Sequence, residues 1–314
     1  MLLTTGLYAS GGTRFRLEEV LSIGGAQSDL ISMWVGAAVD QEGFLYVTDA
    51  LESALKKFDP SGRLVKSTTW AQPGGGGFGM RRYPLDISNR NVYVVVSSPF
   101  QSSVKVYDSD LNLKTSFDLP DPADDLQALP DGRLAYSSVS MVKDRAGCVR
   151  IIDRSGLRHK TISCRQEDDP ATLSMIDFRF ADDGSLFVVF NYLDRILKLD
   201  RKGRLVWAKG LLGVSKVKTK KILFKTVPVT PTFKDVALDG AGRLFVLGGG
   251  YSRNRSRDVY VLDSDGRLLD TLTLPQPSHC LVVDRFGFLY ARADQGMTLK
   301  KYKIIGFEDD DARR

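Results

Sequence analysis

The sequence predicts an all-β chain closed into a six-bladed β-propeller ring, with four antiparallel strands per blade. Three observations carry that prediction. A turn-and-strand segment recurs six times at a spacing of roughly 49 residues, in the range of propeller blades. A second strand–turn–strand segment follows each of the first five copies. The last copy lacks a fourth strand, and the N-terminus holds a spare one. A two-sheet sandwich or a pair of small barrels explains neither the even spacing nor the split last copy.

The first segments are VDQEGFLYVTD (39–49), ISNRNVYVVVS (87–97), LPDGRLAYSS (129–138), FADDGSLFVVF (180–190), LDGAGRLFVLG (238–248) and VDRFGFLYARA (283–293). Each has an apolar run, a polar turn and an alternating strand, the signature of a hairpin. The turn residues are read as Gly43, Asn91, Gly132, Gly184, Gly242 and Gly287. The second segments are LKKFDPSGRLV (55–65), VKVYDSDLNLK (104–114), VRIIDRSGLRH (149–159), ILKLDRKGRLV (196–206) and VYVLDSDGRLL (259–269). Their Asp59, Asp108, Asp153, Asp200 and Asp263 each begin a tight turn, because a short carboxylate bonds backbone N–H groups two residues on. Gly62, Gly156, Gly203 and Gly266 supply the positive φ of that turn, with Asn112 read as the nearest equivalent in the second copy. After residue 293 only TLKKYKIIG (298–306) follows, so FRLEEVLSIGG (15–25) is expected to complete the sixth blade and tie the ring shut. The organisation read from this is an N-terminal extension (1–14), one propeller (15–306) and a disordered acidic tail (307–314).

The successive VD..GxLYV.D and hxKxDxxGRLV segments, best preserved in 39–65 and 238–269, resemble the NHL repeats of six-bladed propellers over residues 15–305. The resemblance implies a rigid docking platform. It also implies, for a stand-alone bacterial version, a place outside the cytoplasm, in the periplasm or secreted. Some animal NHL propellers bind single-stranded RNA on a basic face, and related propellers include metal-dependent lyases and calcium-dependent lactonases.

Repeat topology separates two faces. The first and third turns of each blade are short, while the second loops and the crossovers between blades are long and varied, which places binding on the long-loop side. Residues 117–125, with Asp118, Asp121, Asp124 and Asp125, and residues 165–170, with Glu167, Asp168 and Asp169 against Arg165, are acidic. Residues 208–234 carry Lys209, Lys216, Lys218, Lys220, Lys221, Lys225 and Lys234 and no acid. The loop GGGYSRNRSRD adds Arg253, Arg255 and Arg257 beside them. A bipolar face is expected, acidic near blades 2–4 and basic near blades 4–5. The segment QPGGGGFGMRRYP (72–84) lacks the GxxxxGK[ST] pattern, so it does not read as a phosphate cradle. It reads as a flexible connection, or as a carrier of Arg81, Arg82 and Tyr83 at the channel mouth.

Catalytic signatures are sparse. GxSxG does not occur. His159 and His279 are the only histidines, which excludes a cluster of imidazole ligands. Asp86, Asp177, Asp235 and Asn191 recur on inner strands, as channel-hydrating residues or as oxygen ligands for a calcium ion. Cys148, Cys164 and Cys280 form no CxxC. Cys148 and Cys164 flank one hairpin, so a shift of one or two residues decides between a disulfide and two half-buried thiols.

The 43% hydrophobic and 26% charged fractions are those of a globular chain, and the net charge of +6 permits acidic partners without demanding them. No apolar stretch approaches the ~20 residues of a membrane helix, and the first residues lack the pattern of an intact signal peptide. The leading reading is a non-enzymatic binding or scaffold module, a monomeric ring or a subunit of an assembly, that docks a protein or peptide and needs no cofactor. The alternative is single-stranded RNA on the basic surface of blades 4–5. A second alternative is a lactonase- or lyase-type enzyme with a metal in its channel.

Overall fold

The computed structural model describes residues 15–70, 83–97, 101–138, 146–153, 156–222 and 225–306. The tail 307–314 and the extension 1–14 lie outside that set. The described chain is a six-bladed β-propeller with four antiparallel strands in each blade.

Strand β1 (Phe15–Gly24) opens the chain. Blade 1 is β2 (Trp34–Val39), β3 (Leu45–Asp49), β4 (Ala54–Phe58) and β5 (Leu64–Thr69). Blade 2 is β6 (Leu85–Ser88), β7 (Asn91–Ser97), β8 (Ser102–Asp108) and β9 (Leu113–Leu119). Blade 3 is β10 (Ala123–Ala128), β11 (Leu134–Ser138), β12 (Cys148–Ile152) and β13 (Arg158–Ser163). Blade 4 is β14 (Ile176–Phe180), β15 (Leu186–Phe190), β16 (Ile196–Leu199) and β17 (Leu205–Lys209). An additional hairpin, β18 (Thr219–Ile222) and β19 (Lys225–Pro228), stands in the crossover to blade 5. Blade 5 is β20 (Phe233–Leu238), β21 (Leu244–Gly248), β22 (Asp258–Leu262) and β23 (Leu268–Thr273). Blade 6 is β24 (Leu281–Val283), β25 (Phe288–Ala293) and β26 (Thr298–Gly306) with β1 as its outer strand.

The closure expected from the split repeat is present. β1 runs antiparallel to β26 from Phe15↔Gly306 to Gly24↔Thr298. The Trp34 indole donates to the Thr298 carbonyl at 2.9 Å, and the Phe15 amide donates to Asp270 of blade 5 at 2.7 Å. One strand thus fastens blade 6 while its neighbours fasten the strand.

No single core fills the ring. Six apolar clusters form, one at each blade junction. The repeated sequence signals serve these junctions. Lys57 and Lys198 lie over the aromatic rings of Phe44 and Phe187 and donate to the Ser109 and Ser264 carbonyls in the third turn of the next blade, at 2.8 and 3.1 Å. Gly266, at φ +73°, sits so close to Trp207 of the preceding blade that a Cβ would lie 2.9 Å from the indole ring. The glycine of this turn is therefore required twice, by its own backbone and by its neighbour's side chain.

Two turn assignments differ from the sequence reading. In blade 2 the residue equivalent to Gly62 is Leu111, at φ +59°, because its amide donates to the Asp108 carbonyl as that of Gly62 does to Asp59, while the Asn112 amide donates to the Asp108 carboxylate as Arg63 does to that of Asp59. A left-handed leucine costs ~1–2 kcal/mol, and burial of Leu111 in the cluster between blades 1 and 2 offsets it. The first turn of blade 2 is Asn89–Arg90, both at positive φ, with Asn91 already in the strand.

Candidate functional site

The inner strands line a central channel that opens on both faces of the ring. Register places Ala38, Asp86, Gln127, Arg179, Ala237 and Val282 at equivalent positions, paired with Tyr46, Tyr93, Ala135, Phe187, Phe245 and Tyr290, each three residues past the end of its blade's first turn. Arg179 carries the cation of this layer. It lines both a cavity of about 640 Å3 on the short-turn face and one of about 60 Å3 on the long-loop face, and it stands between them.

The carboxylates expected to hydrate the channel, or to hold calcium, have a different task. Asp86 and Asp235 reach the inner strand of the next blade, and so does Asp125 from the segment read as an acidic loop. Asp86 accepts from the Ala128 amide at 2.8 Å, Asp125 from Phe178 at 3.1 Å and Asp235 from Leu281 at 2.7 Å. Asp177 is buried and accepts from the Asn191 amide group at 2.6 Å. The Arg179 guanidinium donates to Asp125 at 2.6 Å and lies 3.9 Å from Asp235. Burial opposes its charge, but Asp125, Asp235, Asp86 and Asp177 outweigh that and hold it protonated. Burial raises Asp86 to about 6 against the opposing pull of the Ala128 and Ile87 amides and of Arg179. The bonded oxygens of Asp86, Asp125 and Asp235 accept from backbone amides and, for Asp125, from a guanidinium, while Asn191 Oδ1 is buried without a hydrogen-bond partner among the described residues. No group of three or more His, Cys, Asp or Glu among the described residues is arranged to hold a metal ion.

His279 is exposed at the long-loop mouth, with the Lys234 ammonium 3.0 Å from Nδ1. The side chain of His159 lies outside the described set. Cys148 and Cys164 are both free. Cys148 is paired with Ser163, and Cys164 sits opposite Gly147, one register step away, so the thiols do not face one another. Burial first, and the neighbouring Cys148 second, push the Cys164 thiol up to about 12.

The long-loop face is not bipolar in the expected way. Asp121 is buried and lies 3.1 Å from Arg150, and Asp125 is drawn into the channel. Asp169 pairs with Arg195. Of the acids in the two acidic segments, only Asp118, Glu167 and Asp168 are exposed. Three of the seven acids, Asp121, Asp125 and Asp169, are thus taken up in the architecture, because a carboxylate is stabilised when buried only with a partner.

The basic half remains on the surface. The carboxylate of Asp194 accepts from the Leu211, Leu212 and Val214 amides at 2.7, 2.9 and 3.1 Å, pinning the root of the crossover. The Lys218 amide donates to the Tyr251 hydroxyl at 2.5 Å, and the Lys218 ammonium lies over the Tyr251 ring. β19 packs on the 3₁₀ turn Ala171–Leu173 of the preceding crossover. The hairpin and the blade 5 loop are thereby neighbours, as the charge pattern led us to expect. Lys216, Lys218, Lys220, Lys221, Arg253 and Arg255 are all exposed. Arg257 is half-buried and donates to the Leu274 carbonyl at 2.7 Å, a bracing contact. Lys225 lies in β19, with its side chain outside the described set. Arg81 and Arg82 also lie outside it. Tyr83 is corrected: it is 1% exposed, edge-on to Trp70 at 5.4 Å between blades 1 and 2, and is not available to a partner.

Sequence reasoning missed Arg179, Asp194 and Tyr251. Arg179 had a legible signal, a guanidinium inside an inner strand where four of the six blades carry Ala, Val or an amide. Nothing local marked Asp194 or the Tyr251 hydroxyl, because their partners are 17 or more residues away.

No protein family and no curated protein matches the chain. Solved structures do, as folds. A PQQ-bound aldose sugar dehydrogenase from Streptomyces coelicolor aligns with a TM-score of 0.60 at 13% identity, covering 93% of this chain and 99% of that one. Virginiamycin B lyase from Staphylococcus aureus aligns at 0.56 and 10% identity, over 93% and 100%. The Cps50 (Swd1) β-propeller domain of Myceliophteria thermophila aligns at 0.55 and 11%, over 92% and 100%. At these identities the likeness is one of fold. It places the chain among β-propellers, and the blade count comes from its own sheets.

Proposed function

We propose that this propeller is an NHL-like, non-enzymatic binding module that docks an acidic protein segment on its long-loop face. One observation carries the reading. Six exposed cations on the crossover hairpin and the blade 5 loop are held in place by Asp194 and Tyr251, with no ion pair to an acid among the described residues. A fixed like-charged surface of this kind steers oppositely charged partners and raises their association rate.

The RNA reading needs exposed rings on which bases stack. Tyr83 is core, and Tyr251 is roofed by Lys218 with its hydroxyl engaged. Among the described residues the cations thus stand without an exposed aromatic platform, which favours a protein partner. An extracytoplasmic location belongs to the same reading, and cell fractionation tests it.

The test uses defined probes. A fluorescent oligoglutamate peptide, an oligolysine peptide and a 20-nucleotide poly(U) are titrated into the intact chain at low and moderate salt. Binding of the oligoglutamate, lost in Lys218→Glu/Lys220→Glu/Lys221→Glu, is the expected result. Tighter binding of poly(U), or acidic-peptide binding unchanged in the triple variant, overturns the reading.

A further inference from the structure

The hairpin β18–β19 is a two-stranded sheet by itself, joined to no blade. Its register is Ile222↔Lys225, Lys221↔Thr226, Lys220↔Val227 and Thr219↔Pro228, so it closes over two residues. In such a hairpin the closing pair exchanges backbone hydrogen bonds and alternate pairs do not. Ile222–Lys225 and Lys220–Val227 are the bonded pairs, and the Val229 amide bonding to the Lys218 carbonyl at 3.0 Å continues the same alternation. The N–H and C=O of Thr219 and Lys221 therefore point away from β19, two residues apart, the spacing of an unfilled strand ladder.

The two edges of the hairpin differ. On β19 the equivalent outward residues are Thr226 and Pro228, and proline has no N–H to offer. β19 also packs against the turn Ala171–Leu173. On β18, Thr219 and Lys221 are exposed, and their outward groups have no hydrogen-bond partner among the described residues. The edge is also fixed, because Lys218 at its root is bonded to Tyr251.

We propose that the outer edge of β18 receives an extended acidic segment of the partner protein as a third strand of this hairpin. The proposal deepens the docking reading above and rests on it. Strand addition to an open edge takes affinity from main-chain hydrogen bonds and selectivity from the side chains that flank them. Here Lys220 and Lys221 are adjacent in sequence, so they project to opposite faces of the hairpin. A strand laid alongside meets one cation on each face, and consecutive Asp or Glu residues answer both. Opposite charges directly across a strand pair stabilise the pairing. The same lysines repel the β18 edge of a second copy, a common guard against edge-to-edge association. The edge is closed to its own kind and open to an acidic strand.

The experiment separates ladder from charge. Two probes are titrated into the full chain: a ten-residue β-prone peptide with two consecutive Glu, and the same peptide with alternate residues N-methylated on the pairing side. Thr219→Pro removes one outward N–H and keeps every charge, and Thr219→Val is its control. The expected results are at least tenfold weaker binding of the methylated peptide, at least fivefold weaker binding to Thr219→Pro than to Thr219→Val, and slowed hydrogen exchange of the Thr219 and Lys221 amides on binding. Equal binding of both peptides, with those amides unprotected, overturns strand addition. If the Lys218/Lys220/Lys221 variant still loses binding in that case, the docking surface itself stands. No binding of the acidic peptide to the unaltered chain overturns both. Amide protection in the unaltered chain keeps the test decisive even if Thr219→Pro disturbs the hairpin.

Discussion

Replacing Arg179 by methionine asks whether the channel is held together by its one central cation. The guanidinium touches Asp125 and faces Asp235, with Asp86 and Asp177 contributing to its charged state. Methionine keeps much of the volume and removes the charge. Removing one partner of a buried ion pair costs ~3–5 kcal/mol, because the remaining charge is left uncompensated. The Arg179 side chain is 23% exposed, so the low end applies, about 3 kcal/mol, or roughly 4–5 °C at ~2.1 cal/mol/K of unfolding entropy per residue. The pH dependence identifies the cause. Above about pH 6 Asp86 is charged and is repelled by the neighbouring carboxylates without the guanidinium, so the deficit is full. Acidification through about 6, to which burial raises Asp86, protonates it and removes its share of the repulsion, so the deficit shrinks. Urea unfolding of both proteins at pH 7.5 and 4.5 measures this. A variant as stable as the parent at pH 7.5, or a deficit the same at both pH values, refutes the reasoning.

Asp86 gives a second pH signature with its own sign. Its folded value is raised to about 6 from the ordinary 3.8, chiefly by burial, so folding favours its protonated form. That contribution is fully present below about pH 4 and lost as pH rises through about 6. Asp86→Asn should match the parent in the acid range and exceed it above pH 6, by up to ~3 kcal/mol at ~1.4 kcal/mol per unit; equal stability at pH 8 by denaturant titration counts against it. Deleting residues 1–24 removes β1 with buried Ile23 and leaves β26 as an open edge. Thermal unfolding should fall by at least ~6 °C as one transition, and an unchanged midpoint would show that the strand is not a closure.

The fold was legible because a propeller writes its geometry locally. Asp59, Asp200 and Asp263 cap their own turns two and four residues on, and those spacings are visible in the sequence. Blade 2 misled in both its turns because Leu111, Asn89 and Arg90 take positive φ without glycine, where burial or turn type outweighs local preference. The site was legible only in part. A run of lysines keeps its meaning when it stays exposed, as Lys216 to Lys221 do. A run of aspartates does not, because Asp121 and Asp125 are claimed by Arg150 and Arg179, 29 and 54 residues away. Tyr83 shows the same limit for an aromatic, which packs against Trp70 across a segment whose length gives no hint of the contact.

The distribution of charge follows from how the ring is joined. A propeller places its inner strands side by side with little apolar area between them near the axis, so the junctions there are made by carboxylates reaching to the next blade's amides. Carboxylates gathered around one axis repel, and Arg179 answers them from within the chain. That arrangement uses up acids which would otherwise lie on the surface, and it leaves the surface more basic than the total of +6 implies. The excess is concentrated where the architecture has least use for it, on the hairpin inserted between blades 4 and 5. That hairpin belongs to no blade and completes no sheet. Its fixed root, blocked β19 edge and open basic β18 edge are the features on which the proposed strand addition rests.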